Sequence, residues 1–174
     1  MSNIVPKGWE KEIAQRETRV AEALRQAGAD AILISGNANL YYITGRVIAG
    51  YVLITAQGEV KHFVRRPVEL EGDNVAYIRK PEQIAEMLGS VPGTLALEYD
   101  MSYADIMRLQ AAFPEANFVN GSAIMRSVRA VKTPFELDLI RRSGVSHVMS
   151  YKSIPHIFSE GMSDVELQVE LEHR

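Results

Sequence analysis

The chain has 174 residues, 47% of them hydrophobic and 24% charged, which suits one substantial core, or one domain and a fragment of another. Nineteen Lys and Arg against 22 Asp and Glu give a net charge of −3. That leaves no electrostatic footprint for nucleic acid, and Arg65-Arg66 and Arg141-Arg142 are too small to act as basic patches. The sequence has no cysteine, which removes disulfides, thiolate zinc sites and a cysteine nucleophile together. Apolar runs such as Ala31–Ile34 fall far short of the roughly 20 residues that span a bilayer, so no membrane association is expected. The opening residues, Met1 to Gly8, carry no apolar core of a signal peptide, and a cytoplasmic protein is expected.

Ile13, Val20, Leu24 and Ala27 fall near one helical face, with Gly28 as the stop. Ala31 to Ser35 is a short apolar run bounded by Asp30 and Gly36, which suits a buried strand. In the next segment Asn39 is expected to cap a short helix and Gly45 to supply a turn. Tyr51–Ala56, Gln57-Gly58 and Glu59–Arg65 read as a hairpin, with Val60, His62 and Val64 on one face of its second arm. Val75–Ile78 is a further strand, Pro81 opens a helix carrying Ile84, Met87 and Leu88, and Thr94 to Glu98 is a strand. Ser102 and Asp105 start a helix running to about Phe113, and Asn117–Asn120 supplies a last strand. The hairpin forces one antiparallel pair, so the fold class is α/β, a mixed β-sheet flanked by helices.

The character changes after Ala130. Thr133-Pro134-Phe135-Glu136 is a capping box with proline at the first helical position, and Leu137, Ile140, Val148, Tyr151 and Phe158 keep helical spacing behind it. Pro155 removes an internal hydrogen bond and is expected to kink this helix before Gly161 stops it. Ser163-Asp164-Val165-Glu166 caps another helix, running to Arg174. Two helices without a sheet of their own are expected to begin a second, incomplete domain, which divides the chain into 1–130 and 131–174.

Four stretches carry a resemblance. Asn39-Leu40-Tyr41-Tyr42-Ile43-Thr44-Gly45 resembles the "N-hydrophobe-x-Tyr-hydrophobe-Thr-Gly" segment of the creatinase/prolidase N-terminal domain. Leu97-Glu98-Tyr99-Asp100 is similar to that family's "G-V/L-E-x-D" strand end, with alanine at 96 in place of the usual glycine. The run from Arg126 through Lys132-Thr133-Pro134-Phe135-Glu136 to Arg141 resembles its "R-x-x-K-S/T-P-x-E" junction, and Gly161-Met162-Ser163-Asp164-Val165-Glu166 its "G-M-T/S-E-x-E" turn. The resemblance implies an N-terminal accessory domain, used for oligomerisation and at the substrate cleft of an Xaa-Pro dipeptidase or aminopeptidase. It also implies a "pita-bread" catalytic domain beginning near 131 and a homodimer acting on peptides. Two divalent ions (Mn, Co or Zn), held by two aspartates, one histidine and two glutamates, would lie downstream of Arg174, with no cofactor in this chain. On this reading the chain alone is inactive. The alternatives are a non-catalytic binding or oligomerisation module, or the N-terminal domain of a metal-free creatinase-like hydrolase.

No catalytic residue emerges from the residues themselves. His62, His147, His156 and His173 include no pair at the spacing of a metal site. Asp30, Glu98 and Asp100 lie at strand boundaries and would build a magnesium cluster only if the strands brought them together; if parallel, the strands put Asp30 and Glu98 at opposite edges. Adjacent helical tyrosines point about 100° apart, so one of Tyr41 and Tyr42 can be buried while the other faces solvent or a cleft. Arg46, after the glycine turn, offers a forked donor suited to a carboxylate, although many relatives of the resembled family carry an aromatic residue there. Tyr42 and Arg46 are therefore the candidate substrate-binding residues, a lip on the cleft. The alternative for both is ordinary packing and a solvated arginine.

Overall fold

The computed structural model describes residues 4–89 and 92–173; residues 1–3 of the opening stretch and Arg174 lie outside it. Its contacts divide the chain into two units, one ending at Val131 and the other beginning at Lys132. The first unit contains α1 (Glu10–Ala27), β1 (Ala31–Ile34), α2 (Asn37–Thr44), β2 (Ala49–Thr55), β3 (Val60–Arg66) and β4 (Val75–Tyr77). It continues with α3 (Gln83–Leu88), β5 (Thr94–Leu97), α4 (Tyr103–Ala112), β6 (Asn117–Asn120) and α5 (Ser122–Ala130).

The six strands lie in the order β4-β3-β2-β1-β5-β6. The hairpin supplies the antiparallel β2–β3 pair as expected, and β1–β2 is antiparallel as well, through the short α2 connection. The pairs β1–β5, β5–β6 and β3–β4 are parallel. All four residues of β1 are buried because helices cover both faces of the sheet. Ile32 and Ile34 pack with Val20, Leu24, Leu40, Ile43, Met125 and Val128 of α1, α2 and α5. Ala31 and Leu33 pack with Ile84, Leu109 and Phe113 on the α3 and α4 side. Along α1, Ile13, Val20 and Leu24 are buried as the periodicity requires, whereas Ala27 is exposed and Ala21 takes its place.

In the second unit α6 (Pro134–Ile157) and α7 (Asp164–Glu172) both open with complete capping boxes, at Thr133/Glu136 and Ser163/Glu166. Pro155 is accommodated inside α6, which ends at Ile157, before Gly161. No helix among the described residues is long and apolar enough to cross a membrane.

Candidate functional site

The parallel register aligns Ala31 with Leu95 and Leu33 with Leu97, so the carboxyl ends of β1 and β5 lie side by side. Glu98 follows β5 at that end and is buried, 2% exposed. One of its oxygens accepts hydrogen bonds from the backbone N–H groups of Ser35 and Gly36, both at 2.6 Å, where β1 turns into α2. The other accepts from the side-chain amide of Asn39. The Asn39 carbonyl in turn accepts from the Arg129 guanidinium at 2.8 Å. An arginine only donates and a carboxylate only accepts, so these two neighbours fix the orientation of the amide between them. The result is a half-buried relay, Arg129 to Asn39 to Glu98 to the β1–α2 turn, with only Glu98 fully buried. A Cβ at Gly36 would stand 3.2 Å from an Asp100 oxygen and 3.3 Å from a Glu98 oxygen, so a side chain there would have to push both carboxylates aside.

Three of the sequence motifs thus converge on one point, each supplying one member. Asn39 does not cap α2 as expected. Gly36 is the N-cap, and the Asn39 side chain is turned to the relay instead. Periodicity gave no hint of Arg129; the signal was its place in the junction motif, three residues before Lys132.

At its far end α2 stops at Gly45, whose φ of 69° and whose neighbours, Pro6 Cδ at 2.9 Å and Trp9 Cε3 at 3.0 Å from a Cβ, leave no room for a side chain. Tyr42 and Tyr41 divide as their spacing demands: Tyr42 is buried, and Tyr41 is 46% exposed with its edge to Trp9. The Arg16 guanidinium lies 4.4 Å from the Tyr42 ring centre and donates to the Tyr42 carbonyl at 2.7 Å. Arg16 is itself buried and ion-paired with Glu12 at 2.8 Å. Tyr42 therefore clamps α2 to α1 beneath the Gly45–Arg46 turn. Arg46 is exposed; its backbone is held by Thr44 Oγ1, and its guanidinium makes no ion pair or hydrogen bond among the described residues. Val47, Ile48 and Ala49, the next residues, form one wall of an open groove of about 730 Å³ whose other wall includes Arg66 and Val68.

A smaller polar cleft of about 250 Å³ opens between the β1–α2 turn and α4, lined by Ser35, Tyr51, Arg65, Asp100 and Asp105. Arg65 donates to the Tyr51 hydroxyl at 3.0 Å and lies 3.8 Å from Asp105. Burial pushes the Tyr51 hydroxyl up to about 12, with Arg65 pulling the other way, so the phenol stays neutral.

The magnesium cluster does not assemble. Asp30 sits at the opposite end of β1, where it accepts from the Thr94 backbone N–H at 2.8 Å, and Glu98 is engaged in the relay. Among the described residues no group of three His, Asp or Glu could hold a metal ion. His62 is buried, but neither ring nitrogen has a hydrogen-bond partner, so it is an unsatisfied core histidine rather than a satisfied one.

Residues 16–131 match the creatinase/prolidase N-terminal domain. The chain belongs to that family. An Xaa-Pro dipeptidase of Pyrococcus horikoshii is 22% identical over 165 residues, covering 91% of this chain and 47% of the relative. The chain thus spans about half the length of the curated relative it matches and is homologous to the N-terminal region of such peptidases. Among solved structures, the prolidase of P. horikoshii OT3 superposes with a TM-score of 0.76 at 22% identity, over 91% of this chain and 47% of that one. The Xaa-Pro dipeptidase of Bacillus anthracis gives 0.76 at 21%, over 92% and 48%. The N-terminal domain of the cytoplasmic peptidase PepQ from Mycobacterium tuberculosis H37Rv gives 0.57 at 20%, over 66% of this chain and 98% of that domain. The mixed sheet with flanking helices is this creatinase/prolidase N-terminal fold.

Proposed function

We propose that the chain is the N-terminal accessory domain, with its following helices, of an Xaa-Pro dipeptidase or aminopeptidase-type metallopeptidase. One observation carries the reading. A match over 91% of the chain takes in part of residues 132–174 as well as the family domain at 16–131, so the likeness continues through the junction into α6. On this reading residues 1–130 form the accessory domain and 131–174 open a pita-bread catalytic domain. That catalytic domain, not this chain, holds two divalent ions, Mn, Co or Zn. The assembly is a homodimer acting on peptides, in the cytoplasm as PepQ is described.

Arg46 is the part of this domain that reaches the substrate. It is an exposed guanidinium on a loop held rigidly from below by Thr44, Gly45 and the Tyr42–Arg16 clamp, and its fork suits the carboxylate of a peptide. Tyr42 acts from beneath, by fixing the loop. The test uses the protein that continues this chain, assayed with Mn, Co or Zn on Xaa-Pro dipeptides carrying free or amidated C-termini. Metal-dependent turnover is expected there and none from residues 1–174. Arg46→Ala is expected to lower kcat/KM roughly tenfold to hundredfold on the free acid alone, the scale of one charged hydrogen bond of about 1.5–3 kcal/mol. Exposed residues rarely contribute more than about 0.5 kcal/mol to stability, so melting should stay the same. No turnover in the longer protein would refute the peptidase reading, and equal kinetics would remove Arg46 from the cleft.

A further inference from the structure

The relay lies at the base of the helix that carries the lip. Helix α2 has eight residues and is about 12 Å long; its first turn holds Asn39, and its end delivers Gly45 and Arg46. Burial of Leu40 and Ile43 sets how deep the helix lies, but apolar contact is non-directional and leaves its pitch open. Hydrogen bonds to Ser35, Gly36 and Asn39 are directional and define the angle at which the chain enters the helix.

We propose that Glu98 and Asn39 are positioning residues for the lip: with Arg129 they hold α2 at one pitch, so that Arg46 stands where a peptide carboxylate arrives. This rests on the reading of Arg46 given above. A tilt of roughly 10° at the base of α2 moves its far end by about 2 Å. A misplacement of about 1 Å at a substrate-holding group can cost roughly a hundredfold in rate. The outer member, Arg129, sits in the last turn of α5, whose closing carbonyls at Val128 and Val131 accept from Arg19 at 2.8 and 3.0 Å. The lip and the end of the first unit are therefore referred to one polar frame.

The polarity of the relay supplies its own test. Asn39→Asp sets two carboxylates against each other. Adding Glu98→Gln restores the relay with donor and acceptor exchanged, because the new carboxamide donates to the new carboxylate and its oxygen still accepts from Ser35 and Gly36. In residues 1–174, hydrogen exchange at the Gly45 and Arg46 amides is expected to quicken roughly tenfold in Asn39→Asp, to recover in the double variant, and to leave β2 amides such as Val52 little changed. Unchanged exchange at the lip, or a loss spread evenly over the sheet, would overturn the proposal. Should Asn39→Asp fail to fold, Arg129→Met breaks the relay at its outer end and is held to the same two outcomes.

In the longer protein, Asn39→Asp is expected to raise KM for free-acid Xaa-Pro substrates more than it lowers kcat, and to lose that effect in an Arg46→Ala background. Additive losses in that cycle would mean that Asn39 does not act through Arg46, and would overturn the proposal. A longer protein without Xaa-Pro turnover would overturn the peptidase reading alone, and exchange at the lip would still decide the positioning role.

Discussion

His62 and Glu17 show how burial alone sets a pH range for the fold. His62 is buried on the strand face it shares with Val60 and Val64, and burial pushes it down to about 4 from 6.5, with the Asn74 backbone pulling weakly the other way. Burial pushes the Glu17 carboxyl on α1 up to about 7 from 4.5. The signs are opposite. The contribution of neutral His62 is complete above pH 6.5 and is lost as pH falls toward 4, because the unfolded chain takes the proton more readily. The contribution of neutral Glu17 is complete below pH 4.5 and is lost as pH rises through 7. Each shift is on the order of 3 kcal/mol between its limits, and the two slopes oppose each other between 4.5 and 6.5. Urea midpoints measured from pH 4 to 8 should therefore show a broad plateau near pH 5 to 6. His62→Leu is expected to flatten the acid limb and Glu17→Gln to raise stability at pH 8. An acid limb that persists in His62→Leu would place its cause in other groups.

At the scale of elements, α2 carries little helical amphipathicity of its own and is held by its two ends. The relay holds the first turn, and Gly45, with the Tyr42–Arg16 clamp, holds the last. Gly28 ends α1 in nearly the same left-handed conformation, φ 67° against 69°, but with open space where a Cβ would go. The pair separates two costs. Gly28→Ala meets only the backbone penalty of roughly 1–2 kcal/mol. Gly45→Ala meets that penalty and a clash with Pro6 and Trp9, so its loss of stability should be larger by about 1–3 kcal/mol, the scale of overpacking in a core. Thermal melts of the two variants side by side check the difference. Equal losses would show that Pro6 and Trp9 yield at no cost, and that α2 is not closed from that side.

At the scale of the whole molecule, the two units differ in how they bury apolar surface. The first packs both faces of its sheet, whereas α6 and α7 bury none of their residues within the second. Ile140, Val148, Tyr151, Phe158 and Val165 are all more than half exposed, a larger apolar surface than soluble chains usually carry. The chain is accordingly expected to self-associate, and a version ending at Val131 to be monomeric. Sedimentation velocity over a hundredfold range of concentration reads both. A concentration-independent monomer for residues 1–174 would contradict the expectation, as would a dimer that survives the truncation.

The sequence by itself determined most elements of this protein, though it did not mark α5 (Ser122–Ala130). A bounded apolar run marks the strand Ala31–Ile34, and capping chemistry marks the starts of α4, α6 and α7, because both signals lie within a few positions along the chain. Motif order was legible as well, and it pointed to the family. Only the tertiary structure decided that β1 pairs antiparallel with β2, and that Asp30 and Glu98 stand at opposite ends of paired strands. It alone turned Asn39 from a helix cap into the centre of a relay, and Arg16 into the partner of Tyr42. Asn39 lies 59 residues from Glu98 and 90 from Arg129, and no local periodicity carries a signal over such distances. The fold brings those side chains within reach, and the high cost of leaving the buried Glu98 carboxylate unpaired then ties them together.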